Sequence, residues 1–213
     1  MADSPTLDPT GAQLLRLVEV MHTLRARCPW DAEQTHASLM PYLIEETAEV
    51  VEAVENASDE QMVEELGDLL IQVVFHAEIA GERGAFTLAE VAQQIADKLI
   101  ARHPYVYDAQ PVPDDVWGSW EKRKRTEKQR RSAVDGIPDT LSSLARANKV
   151  VTRIRSHEVA VPLSDDPITA EEAGRAILDI VARAQAGHID PEQALRQVVR
   201  RLETQARQAE GSV

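Results

Sequence analysis

Apolar residues recur at three- and four-residue spacing along almost the whole chain, and no stretch sustains the period-two alternation of a half-buried strand. That pattern restricts the fold to helices packed on helices, an all-α architecture. Gly11 to Arg27 carries Leu14, Leu15, Val18, Met21 and Leu24 on one face and stops at Pro29. Cys28-Pro29-Trp30-Asp31 reads as a turn, with Asp31 capping a short segment that contains His36. Further helices are expected from Leu39 to Glu55 with Pro41 in the first turn, from Glu60 to Ala80, and from a Thr87 cap to Arg102. Pro104 to Pro113 is a proline-bearing loop, followed by a charged helix from Asp114 to Arg131 and another opened by Asp139 and running to Arg155. Ser156 to Pro167 reads as a linker, and helices from Thr169 to Ala186 and Pro191 to Gln208 complete the chain. Aromatics are scarce at 4%, which also favours helix over sheet.

With 213 residues, 43% of them apolar, the chain can build one sizeable domain with or without a smaller partner. Its formal net charge of −13 opposes the basic field that a nucleic-acid binder needs, and suits a cleft that attracts cations. Cys28 is the single cysteine, so neither an intrachain disulfide nor a multi-cysteine zinc site is available. Met1 to Thr10 has no apolar signal-peptide core, and no apolar run approaches the roughly 18 residues of a membrane span, so the cytoplasm is the expected location.

The chemistry gathers on two helices. At 100° per residue, Glu45, Glu46, Glu49 and Glu52 share one arc of the Leu39–Glu55 helix, opposite Leu43, Ile44, Ala48, Val50, Val51 and Val54. Alone, that arc is what a solvated face looks like. The Glu60–Ala80 helix is apolar on nearly all sides and is expected to be buried, yet Glu65, Asp68, Gln72 and His76 run along it as a narrow polar stripe. A short connection predicts antiparallel packing, with Glu46 and Glu49 facing Glu65 and Asp68. Four converging acids without matching bases are either partly protonated or neutralised by a hard dication. Their oxygen-only donor set suits Mg²⁺, Mn²⁺ or Ca²⁺ rather than zinc, and Mg²⁺ beside carboxylates suits phosphate chemistry.

Cys28-Pro29-Trp30-Asp31, Gln34-Thr35-His36, Leu43-Ile44-Glu45-Glu46-Thr47-Ala48-Glu49, Glu64-Glu65-Leu66-Gly67-Asp68 and Lys98-Leu99-Ile100-Ala101-Arg102-His103-Pro104 together resemble the MazG nucleoside triphosphate pyrophosphohydrolases. The resemblance runs from about Leu14 to Arg155. It implies a MazG-like bundle of antiparallel helices, dimerisation, and Mg²⁺-dependent hydrolysis of a nucleoside triphosphate to monophosphate and pyrophosphate, in a house-cleaning role. Glu46, Glu49, Glu65 and Asp68 would hold the metal, with Mn²⁺ as a substitute. Lys98 and Arg102, one turn apart, would hold the triphosphate, and Trp120 and Lys124 match the family's nucleotide-contacting WxxxK pair. Either Glu45 or Glu64 would accept the proton of the attacking water.

Trp30 is open to two readings, a base-stacking platform or a packed ring that fixes its turn. His76 reads as a hydrogen-bonded core histidine, and the basic run Lys122 to Arg131 as a solvated helix. The tail echoes the site: Glu171-Glu172-Ala173-Gly174-Arg175 parallels Glu64-Glu65-Leu66-Gly67-Asp68, with arginine where a dication should bind. The expected organisation is a catalytic helical domain over residues 11–155 and a degenerate copy over 168–209. Alternative functions are a narrower relative (a dUTP or dCTP pyrophosphatase, or a phosphoribosyl-ATP pyrophosphohydrolase) and a non-catalytic helical interaction protein.

Overall fold

The computed structural model describes residues 8–127 and 130–211, apart from the side chains at positions 117, 121, 122 and 124–126. The described residues are helical, with no strand among them. In chain order the helices are α1 (Pro9–Arg27), α2 (Pro29–Glu33), α3 (Met40–Glu55), α4 (Asp59–Glu82), α5 (Leu88–Arg102), α6 (Pro104–Tyr107), α7 (Val116–Glu127), α8 (Ser143–Ser156), α9 (Ala170–Ala186) and α10 (Pro191–Ala209). They fall into two compact units, Met1–Ala101 and Arg102–Val213. This partition by packing differs from the motif boundaries of 11–155 and 168–209. Among the described residues, no helix is long and apolar enough to cross a membrane.

The first unit is organised around α4. Its C-terminal half packs against α1: Met21, Leu39, Val74, Phe75 and Ile79 form the buried cluster, with Leu17, Val18, Ile71 and Leu88 against it. Arg25 locks this end. Its Nε and Nη2 donate to the two carboxylate oxygens of Glu82 at 2.7 and 2.6 Å, and its Nη1 donates to the carbonyls of Asp31 and, at 3.1 Å, Gln34. One guanidinium thereby ties α1, α2 and α4, with the bidentate geometry that makes such pairs strong. Asp31 lies inside α2 and makes no cap; Pro29 opens that helix, as its fixed φ allows. The following turn is held by Thr35 and Ser38, each side chain accepting from the other's backbone N–H.

Helices α3 and α4 pack as an antiparallel hairpin. The connection is only Asn56 to Ser58, with Ala57 at φ 51° and the Ser58 hydroxyl accepting from the Gln61 N–H. The expectation that α4 is buried on all sides fails within one chain. Val63, Leu66, Leu70 and Val73 are solvent-exposed, Val63 at 76%. Its apolar circumference is real, but this chain covers only part of it. Thr87 caps α5 as expected, in a reciprocal box with Glu90 whose hydrogen bonds hold that carboxyl below the usual range.

In the second unit α8 and α10 enclose Val134, Ile137, Val150, Ile154, Val199 and Ala206. A buried ion pair crosses this core, Arg146 Nε to Glu203 Oε1 at 2.8 Å, and Arg146 Nη1 also donates to the Ile137 and Pro138 carbonyls. Arg153 holds the Ala133 and Asp135 carbonyls, and Glu210 accepts from the Ser132 hydroxyl and the Ala133 N–H. The turn from Ser132 to Pro138 is thus held by charged groups at both ends. Ser142, not Asp139, caps α8, its hydroxyl accepting from the Ala145 N–H, while Asp139 pairs with Arg146 at 3.0 Å. The stretch read as a linker is packed: Val159, Val161 and Leu163 lie against the core. The expected loop after Pro104 contains the single turn α6, and the charged helix is described over α7.

Removing one partner of a buried pair strands the other charge. Glu203→Ala should therefore cost about 3–5 kcal/mol in urea unfolding, whereas Arg175→Ala, on exposed α9, should leave the midpoint almost unchanged. Equal effects would contradict the role assigned to the pair.

Candidate metal and nucleotide site

The 3.6-residue period places Tyr42, Glu46, Glu49 and Ala53 on one stripe of α3, and Glu65, Asp68, Gln72 and His76 on one stripe of α4. Carboxylate oxygens of Glu46, Glu49 and Glu65 lie within 4.8 Å of one another. Partial burial and then the charge of Asp68 push the Glu46 carboxyl above its ordinary value, with Glu49 and Glu45 adding to the effect. Glu65 is pushed up likewise, by burial first and then by Glu49, Glu64 and Asp68. Asp68 is exposed and stands outside the group of three, close enough for both Glu46 and Glu65 to feel its charge. Glu45 and Glu64 are exposed neighbours that deepen the negative potential.

Among the described residues no Lys, Arg or His forms an ion pair with Glu46, Glu49, Glu65 or Asp68. Oxygen donors this close, without a basic partner, fit a hard dication and offer nothing to a thiophilic one. The donor set is compatible with Mg²⁺.

Beyond the carboxylates the seam continues to residues given no site role from the sequence. His36 and His76 stack at 5.0 Å with their Nδ1 atoms 2.8 Å apart, and Arg83 Nη2 lies 3.0 Å from His36 Nε2. A guanidinium only donates, so His36 accepts at Nε2; the network assigns its proton to Nδ1, which donates to His76. Burial, then His36, lowers the His76 pKa. His76 is thus hydrogen-bonded and half-buried, close to the core reading. Gln72 is buried, and its Oε1 has no hydrogen-bond partner. Trp30 is half-exposed and meets Tyr42 edge-on at 5.9 Å, so it is not a buried packing residue. The sequence signal for Gln72 and Tyr42 was their spacing, one helical turn from Asp68 and Glu46.

The cationic residues lie on other elements. Lys98 is half-buried on α5, which among the described residues runs along neither α3 nor α4. Arg102 shares that helix but is buried and engaged, its Nε and Nη2 donating to Glu127 Oε2 at 2.9 and 2.7 Å. Trp120 lies 5.7 Å from the His103 ring. The Lys124 side chain, with much of the basic run around it, is outside the described residues. Gly118 permits the start of α7, since a Cβ there would fall 2.0 Å from Asp115 Oδ2. In the tail, Arg175 pairs with Glu171 at 2.5 Å and Glu172 closes a capping box with Thr169, so both acids have local partners.

The raised carboxyls have a measurable sign. A group whose folded pKa exceeds its unfolded value stabilises at low pH and loses that contribution as pH rises. Metal-free protein should therefore lose this contribution above the ordinary glutamate value of about 4.3, and saturating Mg²⁺ should raise the melting midpoint more as pH climbs toward about 7. Glu46→Gln should flatten that dependence and Glu52→Gln should not. A Mg²⁺ shift that is constant with pH would contradict the site.

A family model described as the MazG nucleotide pyrophosphohydrolase domain matches residues 34–107. The chain is 38% identical over 222 residues to an uncharacterized 26.1 kDa protein of Streptomyces cacaoi, covering 99% of this chain and 90% of that protein. It is 37% identical over 214 residues to the nucleoside triphosphate pyrophosphohydrolase/pyrophosphatase MazG of Thermotoga maritima, with 90% and 83% covered. With the nucleoside triphosphate pyrophosphohydrolase of Escherichia coli it shares 42% identity over 149 residues, 66% of this chain and 57% of that one. The matched stretch contains the α3–α4 hairpin and its carboxylates, and the chain belongs to the MazG nucleotide pyrophosphohydrolase family.

Proposed function

We propose that this protein hydrolyses nucleoside triphosphates to monophosphate and pyrophosphate with Mg²⁺, as a cytoplasmic keeper of the nucleotide pool. The convergence of Glu46, Glu49 and Glu65 without a basic partner carries the reading, on a chain whose relatives bear that activity in their names. Glu46, Glu49, Glu65 and Asp68 hold the cation. Mg²⁺, or Mn²⁺ in its place, supplies Lewis acidity and neutralises charge on the phosphates. Lys98, Arg102 and Lys124 hold the phosphate chain, Arg102 exchanging Glu127 for substrate, and Trp120 contacts the nucleotide. Glu45 or Glu64 takes the proton from the attacking water, whose oxygen bonds to the α-phosphorus as the bond from that phosphorus to the α–β bridging oxygen breaks, and pyrophosphate leaves with the bonding electron pair.

The partner is a second copy of the chain. Ile44, Val51 and Val54 on α3 and Val63, Leu66, Leu70 and Val73 on α4 are exposed at matching spacings of seven and three residues. Two such hairpins, related by a two-fold axis, cover each other's stripes as a four-helix bundle. The uncovered circumference of α4 supports this arrangement.

Chromatography of the products should give nucleoside monophosphate and pyrophosphate from the first turnovers, and excess EDTA should abolish them. Asp68→Asn should remove turnover while leaving the metal-free fold as stable or more so, since one repulsive charge is gone. A diphosphate as the main early product, or full activity in EDTA, would overturn the mechanism. Light scattering should report a dimer that Leu66→Asp dissociates, with loss of activity; an active wild-type monomer would overturn the assembly.

A further inference from the structure

Helix α3 is tied to α4 at both ends, and the two ties differ in kind. At its C-terminal end the Asn56–Ser58 turn is covalent. At its N-terminal end the tie is the turn from Gln34 to Leu39, which is ordered within itself. Thr35 and Ser38 each accept from the other's backbone, and the Leu39 N–H donates to the Thr35 carbonyl at 3.2 Å. Two side chains of that turn reach α4: Leu39 enters the buried cluster with Val74 and Phe75, and His36 pairs with His76. Burial of a leucine is non-directional and permits sliding, whereas a hydrogen bond fixes one position.

The histidine pair holds in one protonation state only. Arg83 Nη2 donates to His36 Nε2 at 3.0 Å, so the His36 proton sits on Nδ1 and points at His76 Nδ1, 2.8 Å away. A proton added to His36 would land on Nε2, where it displaces the Arg83 hydrogen bond and sets one cation against another. A proton added to His76 would land on Nδ1 and bring two N–H groups face to face, in rings stacked at 5.0 Å. Either addition breaks a bond and introduces repulsion. The surrounding elements supply no counter-charge. Arg25 of α1 is held by Glu82 and attracted by Asp31, Glu78 is held by His22, and Glu33 is exposed at the end of α2. Burial and then His36 act on the His76 ring, and both hold its pKa below the ordinary histidine value.

We propose that the His36–His76 pair is an acid-released pin at the N-terminal end of α3, and that His36 is a positioning residue for the carboxylate group. With both rings neutral, the pin fixes the register in which α3 presents Glu46 and Glu49 to Glu65. With either ring protonated, α3 is free to shift and the group loosens. The effect on metal rests on the cation reading proposed above; the pin itself does not. Its sign opposes that of the glutamates. A lowered histidine pKa contributes stability that is full above the ordinary value of about 6.5 and is lost as pH falls through the depressed one.

The test measures Mn²⁺ affinity at about pH 7.5 and about pH 5.5 for wild type, His76→Asn and His76→Leu, and follows the ring protons of His36 and His76 by NMR in metal-free protein. Asparagine keeps an acceptor that does not titrate, whereas leucine keeps bulk and removes the acceptor. At the higher pH, His76→Leu should bind Mn²⁺ about tenfold more weakly than wild type, and His76→Asn within about twofold of it. On acidification wild type should lose about fivefold more affinity than His76→Asn, beyond the loss that carboxyl protonation imposes on both. The His76 signal should titrate below about 6.5 in wild type and move up toward that value in His36→Ala. An equal acid loss in wild type and His76→Asn, or wild-type affinity in His76→Leu, would overturn the pin. If His76→Leu fails to fold, the asparagine comparison decides alone. A wild-type His76 that titrates at its ordinary value would overturn the pin without reference to metal. Wild type that binds no Mn²⁺ at the higher pH would instead overturn the cation reading, and the NMR titration then judges the pin.

Discussion

Like charges brought within 4.8 Å in a partly desolvated seam repel, and the front half of this chain is arranged around that repulsion. The N-terminal half of α4 carries the repelling carboxylates on one side and an uncovered apolar stripe on another. Its C-terminal half is held in a buried cluster and locked to α1 and α2 through Arg25. One helix therefore has a rigid end that fixes position and a working end whose stability depends on what binds it. A folded scaffold can tolerate such a seam because the clamp on Glu82 lies about four turns beyond Asp68 along the same helix.

The second unit solves the opposite problem with the same residue types. Arg146 and Glu203 are both buried, but each has the other, and spare guanidinium protons go to backbone carbonyls. Burial of charge there organises a turn. In the first unit the buried side of the carboxylate group has no such partner. This contrast within one chain separates the acids that build the fold from those set aside for a ligand.

Much of this was legible before any coordinates. The helical period located the long helices, Thr87 and Thr169 announced the starts of α5 and α9, and the spacing of Glu46, Glu49, Glu65 and Asp68 placed all four on the facing sides of one hairpin. The failures share a cause, since each depended on contacts outside the local sequence. Asp139 and Ser142 are both residue types that cap helices, and the sequence alone does not say which of them stands next to the first turn of α8. Val159, Val161 and Leu163 alternate over only five residues interrupted by Pro162, too short a run to mark an element, so their packing against the core was not visible in the sequence. The all-round apolar surface of α4 reads as burial, and hydropathy does not say whose surface does the covering. Gln72 sat in the polar stripe, but an unpartnered amide oxygen is a fact of packing that no spacing reveals.

The brevity of the Asn56–Ser58 turn has a consequence for how such a centre forms and spreads. Every carboxylate of the group lies in one uninterrupted stretch between Met40 and Glu82, so its assembly waits on no distant segment and pays little loop-closure entropy. A centre written locally can be copied by duplicating a single short piece of gene. It can also be lost by one codon, since a positive side chain in place of any one of these acids would occupy the spot with the wrong charge.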